Sequence, residues 1–113
     1  MKFEEQNPPR RYRVGVGGAI EIKDCGRVRL EPNEQVTFLT SDGREHDFCA
    51  KSWGFYATPS VNGRLRSQGL RAALVENPEG RRYVMVVIET RMADFLDYLK
   101  SERQKLLRWL DEG

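Results

Sequence analysis

Apolar and polar residues alternate with a period of two over much of the chain before Thr90. They recur with a period near 3.6 after Thr90, which predicts a β-rich body followed by one helix. In "RYRVGVGGAIEIKDCG", Tyr12, Val14 and Val16 alternate with Arg11, Arg13 and Gly15. Gly17-Gly18 can take positive φ, and Ile20 and Ile22 then alternate with Glu21 and Lys23, the pattern of a β-hairpin with one solvated face. "GRVRLEPNE" continues the alternation as a third short strand, with Val28 and Leu30 inward, before Pro32-Asn33 turns the chain.

"QVTFLTSDGREHDFCA" predicts two strands joined through Ser41-Asp42-Gly43, with Val36 and Phe38 sharing a face and His46, Phe48 and Ala50 sharing another. Asn77-Pro78-Glu79-Gly80 supplies the residues of a tight turn in a further hairpin. Its second arm, Tyr83 to Ile88, is apolar on both faces, which predicts a central strand covered on each side. From Thr90, a potential N-cap, Met92, Phe95, Leu96, Leu99, Leu106 and Leu110 form one stripe, with Asp94 in the first turns, so a helix is expected from Arg91 to about Asp111.

The expected organisation follows. Residues 1–10 read as a flexible lead-in, because Asn7-Pro8-Pro9 can join neither a helix nor a central strand. Residues 11–113 read as a single globular domain, with a β-rich body over 11–89 and a C-terminal helix over 90–112. The fold class is α+β: an antiparallel twisted sheet or half-open β-barrel of about six to eight strands with the helix packed on it. A length of 113 residues with 39% hydrophobic and 32% charged residues fits a folded chain that needs neither disulfide nor metal to build a core. Cys25 and Cys49, 24 positions apart and outside any Cys-x-x-Cys pair, are expected to be buried free thiols. "MKFEEQNPPRR" carries acids and a Pro-Pro pair where a signal peptide has an apolar run, and no segment reaches the length of a membrane span, so a cytoplasmic protein without a membrane partner is expected.

The net charge of +2 changes the picture only through its distribution. From Phe48 to Val75 the chain holds Lys51, Arg64, Arg66 and Arg71 and no Asp or Glu. Trp53, Phe55 and Tyr56 lie at the start of the same stretch, with turn signals at Thr58-Pro59 and Asn62-Gly63. Flat aromatic area beside guanidinium groups suits a ligand with a ring and a negative charge, or an acidic protein surface. The leading reading is therefore a non-enzymatic binding or accessory module that engages an anionic ligand or partner through Lys51, Trp53, Tyr56, Asn62, Arg64, Arg66 and Arg71. Strand parity places Trp53 and Phe55 inward and Tyr56 outward with the arginines.

Four other chemistries have weaker support in the sequence. Gly15, Gly17 and Gly18 lack the third glycine and the following helix of a dinucleotide fingerprint, and no cofactor is expected. His46 is the single histidine; a metal site from Cys25, His46, Cys49 and Asp47 matches no zinc spacing, and no metal is expected. A small hydrolase or isomerase would use His46 with Ser60 or Cys49, although His46 and Cys49 fall on opposite faces of one strand. A single-stranded nucleic-acid-binding domain would use Tyr12 between Arg11 and Arg13 together with the Trp53 to Arg71 segment, but the acids elsewhere oppose a long phosphate track, and nucleic acid is disfavoured. Leu106, Leu107, Trp109 and Leu110, at the end of the expected helix, would pack on a second copy or a larger protein.

Overall fold

The computed structural model describes residues 1–113, and about half of them lie in strands. Antiparallel pairing organises eight strands into three sheets: β1 (Lys2–Val14) with β2 (Ile20–Arg29); β3 (Gln35–Leu39), β4 (Glu45–Lys51) and β5 (Gly54–Ala57); and β6 (Leu70–Glu76), β7 (Arg82–Ile88) and β8 (Lys105–Trp109). A short helix, α1 (Arg64–Ser67), precedes β6, and α2 (Met92–Ser101) precedes β8. The α+β class and the strand number agree with the sequence pattern, but the strands are spread over three sheets and close no barrel. No helix is long and apolar enough to cross a membrane.

The chain divides into two compact units. One comprises Met1–Phe38 and Asp47–Thr58; the other comprises Leu39–His46 and Pro59–Gly113. The boundary falls within β3 and β4, so both strands contribute residues to each unit.

In the first unit β1 and β2 form a two-stranded ribbon joined by a 3-10 turn at Val16–Gly18, in register from Lys2↔Arg29 to Val14↔Ile20. Residues 1–10 are therefore not a loose lead-in. The prolines that argued against a strand are absorbed by an irregularity between Glu5 and Arg10: Glu5 pairs with Gly26 and Arg10 with Asp24, so Gln6 to Pro9 stand opposite Cys25 alone. A bulge of that kind removes the ladder bonds that proline cannot donate, and pairing resumes beyond it. Cys25, expected buried, is exposed there, and Cys49 is buried; both are free thiols. No residue of either ribbon strand is fully buried.

In the second unit the sheet order is β7-β6-β8, and β6 is the central strand. Leu70 and Ala72 pack with Leu65 of α1, and Val61, Val86, Ile88 and Leu110 close around them. Ala73 and Val75, of opposite parity, pack with Leu99 of α2 against Met85, Phe95, Leu106 and Trp109. Both faces of β6 are thus covered, the situation expected for Tyr83 to Ile88. That segment is instead the edge strand β7, with Tyr83 and Val84 exposed, because the chain after α2 returns as β8 on the other side of β6.

The helix expected to reach Asp111 ends at Ser101. Arg103 takes φ 54°, its N–H donates to the Lys100 carbonyl at 3.2 Å, and the Gln104 N–H donates to the Leu99 carbonyl at 2.8 Å. Those two bonds around a left-handed residue form a Schellman stop, usually built on glycine; with arginine in that place the sequence carries no visible breaker. Leu106, read as one helical stripe with Leu99, still faces the same core, and Trp109 joins it, because a bulge between Leu74 and Val75 in the β6–β8 ladder admits one extra residue, Leu107. The helical partner surface expected from Leu106, Leu107, Trp109 and Leu110 does not form: Leu106, Trp109 and Leu110 pack against the unit's own core.

Two substitutions test these backbone features in opposite directions. A Cβ at Gly26 would lie 2.7 Å from the Glu4 carbonyl oxygen and 3.0 Å from the Phe3 ring, so Gly26→Ala is expected to cost about 1–3 kcal/mol. Arg103→Gly relieves a left-handed backbone and is expected to add about 0.5–1 kcal/mol. Urea denaturation of both variants checks the signs; an Arg103→Gly variant less stable than wild type would refute the proposed helix stop.

Candidate functional site

The β4–β5 hairpin pairs Lys51 with Gly54 across a two-residue turn, Ser52-Trp53. Gly54 takes φ 146°, a region open to glycine and rarely entered by other residues, and so lets the chain re-enter a strand directly after the tryptophan. Trp53 is 72% exposed and Phe55 69%, against the expectation that both turn inward. Strand parity does not reach Trp53, which sits in the turn. Phe55 pairs with Ala50, which is buried, yet its own ring stays in solvent.

Trp53 stacks on Tyr56, with ring centroids 6.3 Å apart and planes inclined by 22°. The Lys51 ammonium lies 6.0 Å from the Tyr56 ring centroid and donates to the Asn33 side-chain oxygen at 2.7 Å. Lys51, Trp53 and Tyr56 therefore come together as a half-buried cation beside an exposed aromatic shelf, all within the first unit. A second aromatic contact in that unit, Phe38 edge-on to Phe48 at 6.2 Å, leaves both rings partly exposed.

Asn62, Arg64, Arg66 and Arg71 lie in the second unit, where acids distant in sequence meet the arginines. Arg66 pairs with Asp111 at 2.6 Å and with Glu89 at 2.8 Å. Arg71 pairs with Asp111 at 3.2 Å and Glu112 at 3.0 Å, and its guanidinium lies 4.2 Å from the Trp109 ring centroid. The Asp111 side chain is 5% exposed. Burial opposes its charge, but hydrogen bonds from Arg71 and Arg66 outweigh that cost and hold the carboxyl below its ordinary range. The Asp111 hydrogen bond, against the opposing effect of burial, likewise raises Arg71 above the usual guanidinium value. Arg66 and Arg71 of the acid-free stretch are thus matched in space by Glu89, Asp111 and Glu112.

The residues of the catalytic alternative have other partners. The Ser60 hydroxyl accepts the Arg64 N–H at 3.1 Å, and the Ser60 carbonyl accepts from Gly63 and Leu65, so Ser60 shapes the turn into α1. The Cys49 thiol is buried and donates to the Ala50 carbonyl at 3.4 Å. His46 is half-buried on β4. Asp47, which sequence reasoning treated only as a spare metal ligand, is 1% exposed and receives the Thr58 hydroxyl, while its carbonyl accepts the Thr58 N–H at 3.0 Å. No group of three or more His, Cys, Asp or Glu side chains comes together as a set of metal ligands.

One feature had no signal in the sequence. An open groove of about 490 Å3 runs between β7 and α2, lined by Met85, Val86, Val87, Ile88, Phe95 and Tyr98, with Arg91 and Asp94 paired at its edge. It exists because β7 is an edge strand, which alternation alone did not reveal. Compared with protein-family models, curated proteins and solved structures, the chain matches none.

The Asp111 network has a pH signature. A carboxyl depressed in the folded state contributes stability that is present above its unfolded value, about 3.9, and is lost as pH falls through the lower folded value. Asp111→Asn is expected to lose about 2–3 kcal/mol at pH 7. Its stability should converge with that of the wild type in acid. Denaturant midpoints measured from pH 7 to pH 2 test this, and a constant gap across the range would refute it.

Proposed function

We propose that the chain is a non-enzymatic binding module that engages an anionic ligand through the cluster of Lys51, Trp53 and Tyr56. The observation that carries this reading is the stacked, solvent-facing Trp53–Tyr56 pair with a lysine beside it. Large aromatic faces left in water are a cost that a ligand with a flat or ring-shaped surface removes, and the ammonium supplies a counter-charge for an anionic group. Nucleotides and acidic sugars combine both features. Relative to the arginine-rich loop expected from sequence, the cationic role passes from Arg66 and Arg71, which already hold acids, to Lys51.

Titration of the protein with AMP, glucose 6-phosphate and glucuronate, followed by calorimetry, tests the proposal. Trp53→Ala is expected to weaken binding about tenfold or more, the worth of one lost stacking contact. Lys51→Gln is expected to weaken the charged ligands and leave their uncharged analogues unaffected, while Arg66→Gln has no effect on any of them. Binding unchanged in Trp53→Ala and Tyr56→Ala, or absent for all three ligands at millimolar concentration, would overturn it.

A further inference from the structure

We propose that one face of the β1–β2 ribbon is a docking surface for double-stranded B-form DNA, bound through its phosphates. This goes beyond the aromatic cluster and rests on different residues. On β2 the odd-numbered positions Glu21, Lys23, Arg27 and Arg29 share a face, and the register sets Arg13, Arg11, Glu4 and Lys2 opposite them. Across the bulge β1 advances five positions while β2 advances two, so the face switches between even- and odd-numbered residues of β1, while β2 keeps its parity through Cys25 and the paired residues on either side share its face. It carries Lys2, Arg11, Arg13, Lys23, Arg27 and Arg29 against two carboxylates, an excess of four positive charges on a chain whose total is +2.

The two acids are each shared between two arginines. Glu21 meets Arg11 at 2.7 Å and Arg13 at 3.6 Å; Glu4 meets Arg29 at 3.3 Å and Arg27 at 3.5 Å. The four arginine side chains are between 58% and 79% exposed. Exposed pairs of this kind hold together by about 0–1 kcal/mol, so a phosphate can take the place of either carboxylate at little cost.

Shape and the opposite face select the occupant. Ten residues of β2 extend about 34 Å, close to one helical turn of B-DNA, and the major groove, about 12 Å wide, admits a two-stranded ribbon. The narrow major groove of duplex RNA does not. Single strands are held by aromatic stacking, and the ribbon's aromatics, Phe3 and Tyr12, lie on the other face with Val28, Ile22, Val14 and Ile20. The cationic face has charge and length but nothing on which to stack an unpaired base.

Fluorescence anisotropy with a labelled 20-base-pair DNA duplex of mixed sequence tests the proposal. With about four phosphates neutralised, the log-log salt slope is expected near −3 to −4, so binding weakens about a hundredfold between 50 and 200 mM salt. Arg27→Gln/Arg29→Gln is expected to flatten the slope by about two and weaken binding at least tenfold. Lys23→Gln, which breaks no ion pair and so leaves folding undisturbed, flattens it by about one. Arg82→Gln, on β7, removes the same charge elsewhere and leaves duplex binding unchanged, as does Trp53→Ala, which separates this surface from the aromatic cluster. An Arg82→Gln loss equal to that of Lys23→Gln would overturn the proposal. So would tighter binding of single-stranded DNA, duplex RNA or polyglutamate than of the DNA duplex, or no binding of the duplex at 50 mM salt.

Discussion

The Asp111 carboxylate, nearly buried and shared between Arg66 and Arg71, is the interaction on which the second unit depends. Arg71 sits on β6 and Arg66 on α1, while Asp111 follows β8 at the far end of the sequence. One acid therefore fastens the last strand to the central strand and to the short helix that covers the other face of β6. A carboxylate in that position would be costly alone; two guanidinium donors, one of them stacked on Trp109, supply enough hydrogen bonding to keep it charged. The ladder places Trp109 opposite Ala73, and the small partner leaves room for the indole to lie under Arg71.

That network redistributes the meaning of the charge. Along the chain, the run from Phe48 to Val75 looks like the place where positive charge accumulates, because no acid interrupts it. In space, Arg66 and Arg71 are matched by Glu89, Asp111 and Glu112, and the uncompensated charge lies instead on the ribbon, where sequence shows arginines, lysines and glutamates interleaved. Interleaving in sequence and segregation in space are compatible because strand parity sorts alternate residues to opposite faces. Pairing then adds the matching face of the second strand.

What could be read from the sequence follows the range of the interaction involved. The hairpin at Asn77-Pro78-Glu79-Gly80 is local, and Asn77 accepts the Glu79 and Arg81 N–H groups at 3.1 and 2.8 Å as such a turn requires. The start of α2 and the strands around Tyr12, Ile22, Phe48 and Leu74 are local too, and each is present, although the third strand expected around Val28 is the end of β2. Legibility stopped where tertiary context overrode propensity. Arg103 adopts a backbone state that arginine disfavours, so "SERQKLLRWL" reads as continued helix although half of it is strand. Pro8 and Pro9 argue against a strand, and a bulge opposite Cys25 lets one form around them. The identity of the central strand depends on which neighbour β8 joins, a choice made by long-range pairing that no local window contains.

The two tryptophans show why the binding residues were only half legible. Trp109 and Trp53 each lie near a cation, Arg71 for the first and Lys51 by way of Tyr56 for the second. In sequence both read as a bulky apolar residue beside basic ones. Trp109 sits on a strand whose core-facing side meets Phe95 at 5.9 Å and the buried Ala73 and Val75, so its cation is enlisted in stability. Trp53 sits at a hairpin turn, beyond the paired residues and beyond the reach of any core, so its stacking on Tyr56 shields only part of each ring. The difference between a core anchor and a binding shelf is then a matter of neighbours: Trp109 lies over Phe95, Ala73 and Val75, whereas Trp53, past the last pair of its ladder, has only Tyr56 beside it and leaves an aromatic face that a ligand can cover.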